Sequence, residues 1–174
     1  SFLKTLDRDN LLSGYAEMVK HALISNMETY HAILSFDLDL VDYTLLNQMV
    51  AQSVAVKERI VEEDPKEMGI RKALNLGHTV GHAYESLSFR KGRPVLHGHA
   101  VAAGLVSELY LSYKKCGFPM ENLSQVVYYL KKYYPPFFFN CDDYEALYEL
   151  MTHDKKNEGG IINFTLLSQV GEVQ

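Results

Sequence analysis

The chain has 174 residues, 47% of them hydrophobic and 22% charged, enough for one globular domain with a sizeable core. A formal net charge of -5 and a pI of about 5.8 exclude a global affinity for nucleic acid or an anionic membrane, and leave room only for a local basic pocket. The longest apolar runs, such as Pro135 to Phe139, are too short to span a bilayer.

In chain order, Ser13 to Ser25 reads as a helix behind a Ser-Gly start, with Ala16, Val19, Leu23 and Ile24 at helical spacing. Asp42 to Glu63 is a longer helix, its apolar positions Leu45, Leu46, Met49, Val50, Val54, Val56 and Ile60 recurring at three- and four-residue steps. Pro65 and Gly69 break that pattern, and Ile70 to Ser88 is a third helical stretch. Gly92 to Pro94 is a turn. His99 to Lys115 is apolar and Ala-rich, consistent with a buried helix that ends at Gly117-Phe118-Pro119. Glu121 to Tyr133 and Asp143 to Met151 are further helices. Gly159-Gly160 is a turn before Ile161 to Leu167, whose β-branched and aromatic content suggests a short strand. The expected fold is mainly α and multi-helix, a single domain over 1–174, with a short β element near the C-terminus.

Cys116 and Cys141 lack metal-ligand spacing, and two thiols make no disulfide framework, so a reducing, cytoplasmic setting is expected. Ser1 to Asn10 lacks the charged start and apolar run of a secretory leader, and Ser1 in place of Met suggests either that residue 1 is not the natural start or that the start has been processed.

The most informative segment is Asn75-Leu-Gly-His78-Thr-Val-Gly-His82. Two histidines four apart share one face of a helix, so both can point at one ion, or one can ligate while the other supports the site. Thr79 occupies the position where a zinc protease needs Glu, which disfavours that class. In Leu96-His97-Gly98-His99, a helical start would put His97 and His99 about 200° apart. One would ligate and the other face away. Glu17 lies within an apolar stretch, and together with the histidines it offers an O/N donor set suited to Zn²⁺. Lys20, three residues on, could simply pair with it. If 70–88 is one helix, Arg71, Asn75 and His78 align along a face able to hold an anion beside a metal. Lys155 and Lys156, in the polar stretch His153 to Gly160, could bring ammonium groups to a phosphate or carboxylate.

Taken in order, these segments resemble the 3-dehydroquinate synthase family. The matching text is Ser13-Gly-Tyr-Ala-Glu17-Met-Val-Lys20, Arg71-Lys-Ala-Leu-Asn75-Leu-Gly-His78-Thr-Val-Gly-His82, Leu96-His97-Gly98 and Asp154-Lys-Lys-Asn157. Phe2-Leu-Lys-Thr-Leu6, Phe164-Thr-Leu-Leu and Gly171-Glu172 resemble the segments that open and close the family's C-terminal domain. The resemblance is most specific at the Asn-Leu-Gly-His segment and weakest from Tyr110 to Tyr148.

The resemblance implies a carbon–oxygen lyase of the shikimate pathway. Such an enzyme converts 3-deoxy-D-arabino-heptulosonate 7-phosphate into 3-dehydroquinate and phosphate, with catalytic use of NAD⁺. It implies Glu17, His78 and His97 as ligands of Zn²⁺ or Co²⁺, and His82 as a further active-site histidine. It implies Lys20, Arg71, Asn75 and one or both of Lys155 and Lys156 as substrate contacts, with Lys20 and His82 taking part in the chemistry. It further implies homodimers of the full-length protein and an N-terminal NAD-binding domain outside this chain, which carries no Gly-rich phosphate motif after a strand. His99 departs from the family's usual Glu at that position. Other functions compatible with the residues are a sister sugar-phosphate cyclase making an inosose or a valiolone, a metal-dependent alcohol dehydrogenase, and a non-catalytic metal-binding domain.

Overall fold

The computed structural model describes residues 2–153 and 161–174, so Lys155, Lys156 and the Gly159-Gly160 turn lie outside the described residues. Seven α-helices are present among the described residues. They are α1 (Arg8–Leu23), α2 (Met27–Ser35), α3 (Tyr43–Glu63), α4 (His78–Arg90), α5 (His97–Cys116), α6 (Met120–Tyr133) and α7 (Tyr144–Thr152). Short 3-10 segments cover Phe2–Thr5, Ile70–Asn75 and Cys141–Asp143. A two-stranded antiparallel hairpin of β1 (Leu167–Gln169) and β2 (Glu172–Val173) closes the chain.

α5 is the central element, packed by α1, α4, α6 and β1. Its Ala100, Val101, Leu105 and Leu109 are fully buried. Burying each of the two leucines stabilises the fold by roughly 1.5–3 kcal/mol. The main core joins α1, α2, α3, α5 and α6, and a smaller one packs Val80, Tyr84 and Leu87 of α4 against Leu147 of α7.

Most helices run close to their expected spans, with four differences. α1 starts at Arg8, five residues before Ser13, because the Asp7 side chain accepts from the Asn10 N–H and caps the helix there. α2 was not expected at all; Asn26 caps it by accepting from Thr29 N–H. The expected helix from Ile70 to Ser88 is two pieces. The 3-10 turn ends at Asn75, Leu76 is extended, and Gly77 adopts a left-handed φ of 78° before α4 begins at His78. Arg71, Asn75 and His78 therefore do not share one helix face. Finally, the hairpin strand begins only at Leu167, and Ile161 makes no more than an isolated bridge. The preceding segment bonds to helices and their flanks instead: Thr79 Oγ1 donates to Asn163 O, Thr165 Oγ1 to Lys72 O, and Leu167 N–H to Ser112 Oγ.

Two helix starts decide where the site lies, and each is capped from another helix. The buried Glu108 carboxylate of α5 accepts from Gly77 N–H at 2.6 Å and Val80 N–H at 2.9 Å, supplying to α4 the cap that glycine lacks. Ser13 Oγ of α1 accepts from Gly98 N–H at 3.0 Å in the first turn of α5. The backbones nearly touch there, and a Cβ on Gly98 would sit 1.9 Å from Ser13 O. His78 and His97 are the first residues of the two helices held this way.

Candidate metal centre

Glu17 projects from α1 toward the starts of α4 and α5. Its Oε1 lies 3.4 Å from His78 Nε2 and 3.6 Å from His97 Nε2, and Oε2 accepts from the buried Lys20 ammonium at 2.6 Å. The distal nitrogens are tied back. His78 Nδ1 is 3.1 Å from Leu76 O, and His97 Nδ1 is 3.0 Å from Glu85 Oε2. Both acceptors lack hydrogens, so each Nδ1 donates and each ring is turned with Nε2 toward Glu17. Ligating histidines in metal centres are held in this manner.

The residues fit a divalent cation. Glu17 Oε1 is buried and has no hydrogen-bond partner among the described residues, although it faces two ring nitrogens. Donors bonded at about 2.0–2.1 Å to a tetrahedral ion stand about 3.3–3.4 Å apart, close to the spacings of Glu17 from the two histidines. The electrostatics agree. Burial pushes the Glu17 carboxyl up, but the His78 and His97 imidazoles and the Lys20 ammonium outweigh it and hold the carboxyl far below the usual carboxylate range. Contact with Glu17 raises His97 to about 9, against burial and with Glu85 acting in the same direction.

His82 stands one turn beyond His78 on α4. The donor atoms of His78, His82 and His97 lie within 4.8 Å of one another, so His82 is a second candidate for the third ligand position. Its ring centroid is 5.3 Å from His78 and 5.7 Å from His97. His99 points elsewhere, as the helical period requires: its Nε2 is 3.3 Å from Asp9 O and its ring meets Tyr134 edge-on.

A cleft of about 630 Å³ opens beside the cluster, lined by Glu17, Lys20, Asn75, His78 and His97 together with apolar side chains of α1 and α3. Of the expected anion-binding residues, Lys20 and Asn75 reach this cleft. Asn75 Nδ2 also donates to Glu67 Oε1. Arg71 is not on the cleft wall; its guanidinium donates to Pro65 O, in a loop where the Asp64 carboxylate accepts from the Met68, Gly69 and Arg71 N–H groups. Lys155 and Lys156 fall outside the described residues.

Sequence reasoning missed Glu85 and Glu108. Glu85 follows His78 by seven residues and His82 by three, a spacing that marks the same helix face. Glu108 is a lone carboxylate in an apolar helix, which signals a buried partner without naming it.

Comparison with known proteins shows the family and the fold. The family model described as "3-dehydroquinate synthase C-terminal" matches residues 14–157. A curated 3-dehydroquinate synthase from Parabacteroides distasonis is 75% identical over 173 residues, covering 99% of this chain and 49% of that protein. Its counterpart from Leptospira interrogans is 40% identical, covering 98% and 47%. The chain thus spans about half the length of the curated relatives it matches. Among solved structures, 2-epi-5-epi-valiolone synthase from Streptomyces hygroscopicus with NAD⁺ and Zn²⁺ bound superposes with a TM-score of 0.83 at 19% identity, over 99% of this chain and 48% of that one. A 2-deoxy-scyllo-inosose synthase complexed with carbaglucose-6-phosphate, NAD⁺ and Co²⁺ gives 0.78 at 21%, over 98% and 48%. At these identities the two structures speak for the fold.

Proposed function

The chain belongs to the 3-dehydroquinate synthase family, and we propose that it is the metal- and substrate-binding half of such an enzyme, working with a nucleotide-binding half. The reaction is cyclisation of 3-deoxy-D-arabino-heptulosonate 7-phosphate to 3-dehydroquinate with loss of phosphate. One observation carries the reading: the buried Glu17 Oε1, without a hydrogen-bond partner among the described residues, faces two imidazole nitrogens at ion-binding spacing. The relative that is 75% identical favours this substrate over those of the sister cyclases.

Glu17, His78 and His97 would hold Zn²⁺ or Co²⁺. The ion would supply Lewis acidity to vicinal hydroxyls and ease loss of a proton from the alcohol being oxidised. The chain's own residues do the remaining work. Lys20 keeps a buried ammonium beside Glu17 and offers charge to an anionic substrate at the cleft wall. Asn75 offers hydrogen bonds at the same wall. His82, adjacent to the ligand pair, moves or positions a hydroxyl proton. Arg71 and one of Lys155 or Lys156 would hold the substrate's carboxylate and phosphate, Arg71 by exchanging Pro65 O for the anion. Hydride transfer belongs to NAD⁺, which the partner half would orient against the substrate.

The test combines this chain, NAD⁺, Zn²⁺ and the heptulosonate phosphate, with and without a separately produced nucleotide-binding half. Phosphate release is expected only when both halves are present. Release by this chain alone at enzyme-like rates would refute the division of labour.

A further inference from the structure

We propose that Glu85 is a positioning residue of the metal centre. Its carboxylate sets the orientation of His97. The inference rests on the metal-site reading above and adds to it a residue that touches neither the ion nor the substrate.

His97 is the least constrained of the donors. It opens α5 directly after the Gly92–Leu96 connection, and its side chain is 45% exposed, against 12% for His78. His78 is steered by a backbone carbonyl two residues earlier in its own chain segment. No comparable backbone contact steers His97 among the described residues; the contact at its Nδ1 comes from a side chain of another helix, Glu85 Oε2 at 3.0 Å. A carboxylate oxygen only accepts, so Nδ1 donates and Nε2 is the nitrogen left facing Glu17. The negative charge also makes the imidazole a stronger donor toward a cation.

The placement of Glu85 suits that task. It lies on α4 near the face that carries His78 and His82, two turns below His78. The same helix therefore provides one donor and aims a second donor from α5. The Glu85 side chain is 27% exposed, which leaves its charge partly shielded from solvent. Its backbone carbonyl accepts from Ser88 Oγ at 2.6 Å, and Ser88 Oγ in turn accepts from Val95 N–H, tying the helix to the strand of chain that delivers His97.

The experiment measures Zn²⁺ affinity by chelator competition and the visible spectrum of the Co²⁺-loaded protein. It compares wild type, Glu85→Ala, Glu85→Gln and His97→Ala, with thermal unfolding in excess chelator as a check on folding. Glu85→Ala is expected to weaken Zn²⁺ binding by roughly 10–100-fold without changing metal-free unfolding. Glu85→Gln keeps an acceptor and removes the charge. It should lose less affinity than Glu85→Ala and shift the Co²⁺ bands at saturation, a change that a general loss of packing would not produce. His97→Ala should lose the ion. Wild-type affinity in Glu85→Ala beside a deficient His97→Ala overturns the role of Glu85 alone. Wild-type affinity in His97→Ala overturns the metal site and the Glu85 role with it. If Glu85→Ala does not fold, unchanged affinity and spectrum in Glu85→Gln overturn the proposal.

Discussion

The two sides of the cleft are built differently. On the metal side, Glu17, His78 and His97 come from three helices locked at their crossings. Glu108 caps α4, Ser13 caps α5, and the Gly98 backbone lies against Ser13. On the side proposed for the anion, Asn75 lines the cleft and Arg71 stands behind its wall; both sit on a 3-10 turn next to a loop held by the Asp64 carboxylate, and their polar groups bond to Glu67 and Pro65. Donors to an ion must stand within tenths of an ångström of fixed positions, which packed helices provide. Contacts to a mobile anion tolerate a looser frame.

The largest effect should come from breaking the metal side at its crossing. Gly98→Val drives two methyl groups into the Ser13 backbone, and chemical denaturation should show a loss of about 3 kcal/mol or more. Bound metal should fall with it, because His97 is displaced from Glu17. Next is Glu108→Ala, which leaves the buried Gly77 and Val80 N–H groups without their acceptor. At about 1–3 kcal/mol for each unsatisfied group, a total near 3 kcal/mol is expected in the same assay.

A third prediction sharpens the comparison through pH. His21, on α1 beside Lys20, is buried, with Nδ1 2.6 Å from Ser53 Oγ. Burial, with the Lys20 charge, lowers it from 6.5 to about 4. The folded state resists a proton that the unfolded chain accepts. Its contribution is therefore intact above pH 6.5 and is lost as pH falls toward 4, by about 3 kcal/mol at most. Urea midpoints of metal-free protein across that window should fall for wild type and fall less for His21→Phe.

The smallest structural effect belongs to the anion side. Arg71→Lys should change stability by no more than about 0.5 kcal/mol, since it removes one exposed contact. Substrate binding by the assembled enzyme should nonetheless weaken, because the planar fork is lost although the charge is kept. Unchanged binding would remove Arg71 from the account.

The same contrast explains what could be read from the sequence. His78 and His82 lie within one helix, where spacing alone puts them together, and the opposed directions of His97 and His99 follow from the helical period. The alignment of Arg71 and Asn75 with His78 failed because it crossed Gly77, whose left-handed backbone ends the 3-10 turn and starts a new helix. Ser13 does mark a helix start, but that of α5, 85 residues away, and α1 begins at Asp7 instead. Caps supplied across tertiary contacts, as by Ser13 and Glu108, leave no local pattern. Neither does the coupling of Glu85 to His97, which depends on how α4 meets α5.

The central claim is one divalent ion held by Glu17, His78 and His97, with His82 beside it. Metal content of protein purified without an affinity tag tests it most directly, measured for wild type, His78→Ala and His82→Ala. One equivalent in wild type, near zero in His78→Ala and near one in His82→Ala is the predicted result. Stoichiometric metal surviving His78→Ala, or metal lost only in His82→Ala, would contradict it.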